Sequence, residues 1–222
     1  MQGWHDSPEF RQFRHRFSFV TGSGGDSALR AVTGQTGDMS DQTFVFVSGN
    51  AALDLVGTVG WRRTAPRDQL AEPADLRRWI AGAGLLTEGP AEVDSAAFAD
   101  ALELREAVHR LAHDRLAGRE FDRRALEVVN GVAAAPGRRP ALTDAGVRFH
   151  GGTAAALADI AASAITLLAD GDAVLKECGR ESCTRLYVDR SRGARRTWCG
   201  MDECGNRVKA AAYRARRRAE RT

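Results

Sequence analysis

The chain has 222 residues, 43% of them hydrophobic, which suffices for one sizeable core, or one core with a small satellite module. No apolar run approaches the ~20 residues that cross a bilayer, and the opening MQGWHDSPEFRQFRHRF lacks the apolar region of a secretory signal, so the expectation is a soluble cytoplasmic protein with no membrane partner. The net charge of +3 is unevenly spread: Lys176 to Thr222 holds 14 Lys and Arg against 6 Asp and Glu, and residues 1–175 hold 18 against 23, an imbalance that points to a polyanionic partner, with plain solubility as the alternative.

Residues 1–38 mix Gly, Ser, Thr and Arg without a sustained period and read as a flexible leader. Its Gly-Ser-Gly-Gly has neither a following Lys-Ser/Thr nor a preceding strand, so it is not a phosphate loop. Ordered-looking sequence begins at once at Met39, which makes Met39 a candidate translation start and the leader a candidate start-site artefact. TFVFV at 43–47 predicts a strand, whereas NAALDLVGTV leaves helix and strand open. Asp75 precedes LRRWIAGAGLL, a short helix ended by glycines at 82 and 84.

The longest helix is expected from Asp94 or Ser95 to Gly118, with Ala97, Ala101, Leu104, Val108 and Leu111 on one stripe and Phe98 and Leu102 beside it. Asp122 caps a further helix through Val132, which APGRRP breaks. ALTDAGVRFHGG predicts a hairpin turning at Asp144 to Gly146, and Thr153 caps the helix AAALADIAASAITLLAD, followed by Gly171. The expected class is α+β: a mainly helical N-terminal domain at 39–171, a linker near Gly171 to Lys176, and a small C-terminal module at 176–222.

All four cysteines lie in that module, as Cys178-x4-Cys183-x15-Cys199-x4-Cys204. Each short-spaced pair supplies two thiolates from one tight turn, and clustering without an export signal favours metal over disulfides. Four thiolates close a tetrahedral shell, so the expected cofactor is one structural Zn2+ rather than a catalytic zinc with an open position for water. Between the pairs, TRLYVDRSRGARRTW predicts one strand at Leu186 to Val188 and a second at Arg196 to Trp198, with DRSRG as the turn. Knuckle, hairpin and helix follow in the order of a treble-clef-like zinc finger, too small to fold without its metal.

At 100° per residue, Arg207, Arg214, Arg218 and Arg221 project within about 60° of one another on the final helix. Val208, Ala212, Ala215 and Ala219 form a separate small-residue stripe expected to dock on the hairpin or the body. Arg190, Arg192, Arg195 and Arg196 add charge from the hairpin, with Tyr187, Trp198 and Tyr213 among them. Such a cluster suits phosphate neutralisation and carries no sequence information by itself. Asn206 can read an adenine edge or brace the knuckle, and its place beside a ligand favours bracing.

With its cysteine pairs, RLYVDRSRGARRTWCGMDECGNRVKAAAYRARRR resembles the CGNR zinc finger, whose tetrapeptide is Cys204-Gly205-Asn206-Arg207 here. The family's Asp-x-Ser and Arg-Arg-x-Trp-Cys are matched at Asp189, Ser191, Arg195, Arg196, Trp198 and Cys199. GNAALDLVGTVGWR, DLRRWIAGAGLL and ALELREAVHRL resemble segments of the ABATE domain, a stress-induced transcription regulator domain that precedes this finger in the family; Gly57 departs from the family's usual Asn-Thr. The resemblance implies a bacterial, zinc-dependent DNA-binding transcription regulator, responsive to stress or to a ligand through its N-terminal domain.

Other sites rank lower. His109 and His113 are four apart on the long helix near Glu106 and Asp114, but no HExxH is present and both point away from the apolar stripe, so a solvated face is expected. Asp54, Arg62 and Arg105 are candidates for a ligand pocket in the body, with structural ion pairs as the alternative. Ser48 lacks the flanking glycines of a nucleophile elbow, and no enzyme is expected. The expected partners are double-stranded DNA, a small-molecule effector and a second copy in a homodimer. A zinc-stabilised protein-interaction or RNA-binding module is the alternative.

Overall fold

The computed structural model describes residues 43–90 and 92–219; the leader at 1–38, the candidate start at Met39 and the predicted ridge residue Arg221 lie outside the described residues. The first helix, α1 (Ala51–Val56), starts where the Asn50 side chain accepts the Ala52 and Leu53 amides, and it is buried along almost its whole length. A two-residue ladder pairs β1 (Val59–Gly60) with β2 (Arg67–Asp68), antiparallel.

α2 (Pro73–Gly82) begins a turn earlier than the sequence pattern implied: Glu72 is its cap, and Asp75 closes a capping box from inside the first turn. α3 (Ser95–Leu116) and α4 (Arg123–Ala133) start on Asp94 and Asp122, whose carboxylates accept the amides of Ala97 and Ala125. β3 (Arg139–Thr143) and β4 (Gly146–His150) form the expected hairpin. α5 (Thr153–Ala169) has Gly152 as its cap, so Thr153 is a helical residue whose hydroxyl donates to Glu92 O at 3.1 Å.

α1, α3, α4 and α5 enclose one core around Leu53, Leu55, Leu104, Leu111 and Ile160, with Trp79 and Ile80 of α2 closing a side. The expected stripe of α3 supplies Ala101, Leu104, Val108 and Leu111 to it. Among the described residues no helix is long and apolar enough to cross a membrane.

The C-terminal module enters this same core. β5 (Leu175–Glu177) pairs antiparallel with β6 (Leu186–Val188), and Leu175, Leu186 and Val188 are buried with the helices. The expected partner strand at Arg196 to Trp198 is therefore absent, and the end of the expected linker supplies the strand instead. The cause is Asp189, whose buried carboxylate accepts the amides of Ser191 and Arg196 and gathers the following segment into a loop. Nor is 43–47 a strand: its carbonyls at Val45 and Val47 accept guanidinium groups from Arg185 and Arg196, which replace a ladder.

A five-residue π-helical turn, Met201–Gly205, leads into α6 (Asn206–Ala219). Of the predicted docking stripe of α6, Val208 is half-buried and Ala212 and Ala215 are exposed, while the Ala219 side chain lies outside the described residues. The surface it would have covered is already closed, since Leu186 and Val188 pack into the main core.

Candidate metal centre and basic surface

Cys178 sits at the end of the β5–β6 hairpin, its amide donating to Arg185 O at 3.0 Å, and Cys183 closes a turn by donating to Arg180 O at 2.8 Å. Cys199 follows the Asp189 loop, and Cys204 lies in the π turn. The four Sγ atoms all lie within 4.8 Å of one another, with Cys183 to Cys199 at 4.0 Å and Cys199 to Cys204 at 3.7 Å. A tetrahedron with Zn–S bonds of about 2.3 Å has edges of about 3.8 Å, so the four sulfurs fit a zinc tetrathiolate with little adjustment. Hydrogen bonding to Cys199 draws the Cys183 thiol down to about 5, whereas burial and the neighbouring sulfurs push Cys204 up to about 11. A divalent cation reverses that opposition and lets all four ionise.

Glycines make the close approaches around the cluster. A Cβ on Gly179 would stand 2.8 Å from Thr197 Cγ2, and one on Gly205 would stand 2.6 Å from Met201 Sδ and 3.1 Å from Trp198 Cδ1. Gly205→Ala should therefore displace the exposed Met201 side chain and press on the Trp198 ring beside the second cysteine turn, costing about 1 kcal/mol. Chelator competition reads this as easier zinc loss, and unchanged zinc retention would contradict it.

A bracing network outside the sulfurs joins the finger to the body. Arg196 stacks 4.5 Å from the Tyr187 ring centroid, donates from Nε to Trp198 O at 2.7 Å and from Nη2 to Val47 O at 3.0 Å, and also reaches Cys199 O. Asp189 takes Ser191 N at 2.9 Å, Ser191 Oγ at 2.6 Å, Arg196 N at 2.9 Å and Lys176 Nζ at 2.7 Å. Burial opposes its ionisation, yet the bonds from Lys176 and Ser191 outweigh burial and hold its carboxyl below the usual carboxylate range. Val188 N donates to Ser48 O, and Arg62 N donates to Thr184 Oγ1.

The predicted basic residues divide. Arg190, Arg192 and Arg195 are exposed on the Asp189 loop, and Arg214 and Arg218 are exposed on α6. Arg196 is drawn out of that surface by its intramolecular bonds. Asn206 Nδ2 donates to Asp202 Oδ1 at 3.3 Å, bracing the π turn. Arg207 is exposed but lines a cavity between finger and body, away from a purely outward ridge.

The three candidate pocket residues are engaged elsewhere. Asp54 is buried and accepts the Ser48 amide at 2.9 Å, with burial pushing its carboxyl up. Arg105 forks onto Asp68 at 2.7 and 2.8 Å, and Arg62 forks onto Glu106 at 2.7 and 3.1 Å. None of the three lines the cavity beside the cysteines. His109 and His113 are half-buried rather than solvated, their rings 4.5 Å apart; burial and the Arg62 charge hold His109 down to about 4. Sequence reasoning missed Trp61, Arg67, Arg180 and Arg185 as cavity residues, and the positive φ of Trp61 has no local sequence signal.

No match emerges among curated proteins. Residues 175–217 match the CGNR zinc finger, and the four-cysteine cluster is consistent with its one structural zinc. Residues 49–171 match the ABATE family, which carries the description "Putative stress-induced transcription regulator", a regulator rather than an enzyme. The chain belongs to the ABATE family, with a CGNR zinc finger following that domain.

Proposed function

We propose that this protein is a zinc-dependent DNA-binding transcription regulator, responsive to stress or to a ligand through its ABATE domain, in which α6 lays its arginines against duplex phosphates. The observation that carries the reading is the state of α6. Beyond Val208 its described side chains are exposed, and among the described elements it packs closely only on the π turn that holds Cys204. It bears Arg207, Lys209, Arg214, Arg216, Arg217 and Arg218 and no acidic residue. A cationic helix that is exposed beyond its first turn and follows directly on a metal-bound cysteine is suited to an external polyanion. Arg190, Arg192 and Arg195 extend the charge from the neighbouring loop. The family's description as a transcription regulator supports the same reading.

Fluorescence polarisation with random-sequence duplex, over a salt series, tests it. Affinity should fall steeply with salt, and Arg214→Ala with Arg218→Ala should weaken binding about tenfold on all sequences and lower the salt slope by about 2. Absence of duplex binding at low salt rejects the proposal. Stronger competition by structured RNA than by duplex DNA replaces it with the RNA reading.

A further inference from the structure

A cavity of about 500 Å³ lies between the β1–β2 ladder of the body, the first cysteine turn and the start of α6. That volume is within the usual range for small-molecule sites, roughly 300–1,000 Å³. The cysteine cluster forms one end, and a single metal ion held by four sulfurs accounts for only a small part of the space.

Two side chains of the wall, Trp61 and Arg67, stand together at the β1–β2 ladder. Trp61 adopts φ 51, a left-handed conformation that costs a bulky residue strain, and the residue remains 37% exposed in the cavity wall. Arg67 lies 5.9 Å from the Trp61 ring centroid, which gives an aromatic face with a cation beside it. Gly57 makes room at the same wall: a Cβ there would stand 2.6 Å from Arg185 Nη1 and would push that guanidinium aside.

The placing of the charges selects the ligand. A zinc tetrathiolate carries a net double negative charge, and Arg180, with Nη1 at 4.0 Å from Cys204 Sγ, is placed to offset half of it. Asp68 is forked by Arg105, and Arg185 donates to Val45 O at 3.0 Å and faces Asp54. Arg67 and Arg207 remain, and among the described residues neither has an acidic partner; Glu203 is the one lining acid without a basic partner. Two arginines from different parts of the chain, converging on a cavity with an exposed indole, form a site for an oxyanion attached to a flat apolar group.

We infer that the cavity binds a small planar organic anion, a carboxylate or phosphate, with the charge on Arg67 and Arg207 and the ring on Trp61. Arg67 belongs to β2 of the body and Arg207 to the first turn of α6, so the bound anion ties the helix to the body and removes Arg207 from any other anion. The inference stands without the DNA-binding reading, because its test contains no nucleic acid.

Zinc-loaded full-length protein is titrated with phenyl phosphate and with benzoate, followed by tryptophan fluorescence and calorimetry, with benzyl alcohol as the uncharged comparison. The expected result is saturable one-site binding of at least one anion. Affinity falls about tenfold or more in Arg67→Gln and in Trp61→Ala, with zinc content unchanged, and is retained in Arg139→Ala, an exposed arginine of β3 outside the cavity. Arg67 is exposed, so its variant reports on binding without loss of fold. Failure of both anions to bind, equal affinity in Arg67→Gln, or benzyl alcohol binding as tightly as the anions overturns the inference.

Discussion

Stripping zinc with a chelator is expected to melt residues 199–219 while leaving β6 protected. α6 is 14 residues long and, among the described elements, packs closely only on the π turn, and an isolated helix of that length is marginal in water. With Cys204 released, its main described packing is lost. β6 differs, because Leu186 and Val188 are buried in the same core as α1 and α3. Structural zinc contributes about 10–16 kcal/mol in isolated finger peptides, so the finger's second half should lose its order outright. Hydrogen exchange read by mass spectrometry separates the segments: amides of 199–219 should lose protection on chelation, and those of 186–188 should keep theirs. Cys199→Ser should reproduce the pattern. Retained protection along α6 in metal-free protein would refute the argument, and simultaneous loss in β6 would show that the hairpin, too, depends on the metal.

The second large effect is expected at Asp189. Its carboxylate is buried and satisfies four donors: two from Ser191, one from Arg196 and one from Lys176. Through Arg196 it also sets the guanidinium that bonds Val47 O and Cys199 O, so it stands one step outside a metal ligand and one step from the body. Removing such an outer partner lowers metal affinity by about 10–100-fold in other sites, and Asp189→Ala should lower zinc affinity here on that scale. Asp189→Asn keeps the shape but not the charge opposite Lys176, and should fall between wild type and alanine. Chelator competition at fixed pH measures all three proteins. Wild-type zinc retention in Asp189→Ala would show that the loop is held without the carboxylate.

Signals that act within a few residues were legible beforehand. Asp122 caps α4 as expected, Asp94, one of two expected starts, caps α3, and the β3–β4 turn fell where Asp144 to Gly146 placed it. The cysteine spacing pointed to one four-sulfur cluster, because each pair is a local turn. Thr153 and Asp75 were misplaced by a turn or less, since Gly152 and Glu72 cap those helices and proximity in sequence does not distinguish a cap from a first-turn residue.

Pairings over distance were not legible. TFVFV has strand composition, but its carbonyls meet arginines more than 130 residues away, at Val45–Arg185 and Val47–Arg196. Arg196 looked like one more surface cation, and only its bonds to Trp198, Val47 and Cys199 show it bracing the finger.

By itself the sequence determined the helical body, the cysteine cluster with its preference for zinc, and the cationic helix that follows, because capping, periodicity and short-range spacing operate within one or two turns of chain. Tertiary structure alone decided that β6 pairs with β5 and enters the body's core, that α6 is exposed beyond Val208, and that Arg67, Arg207 and Trp61 line one cavity. Those outcomes depend on which surfaces remain uncovered once the core has closed, and on which charges find partners there, and neither is set by neighbours in sequence.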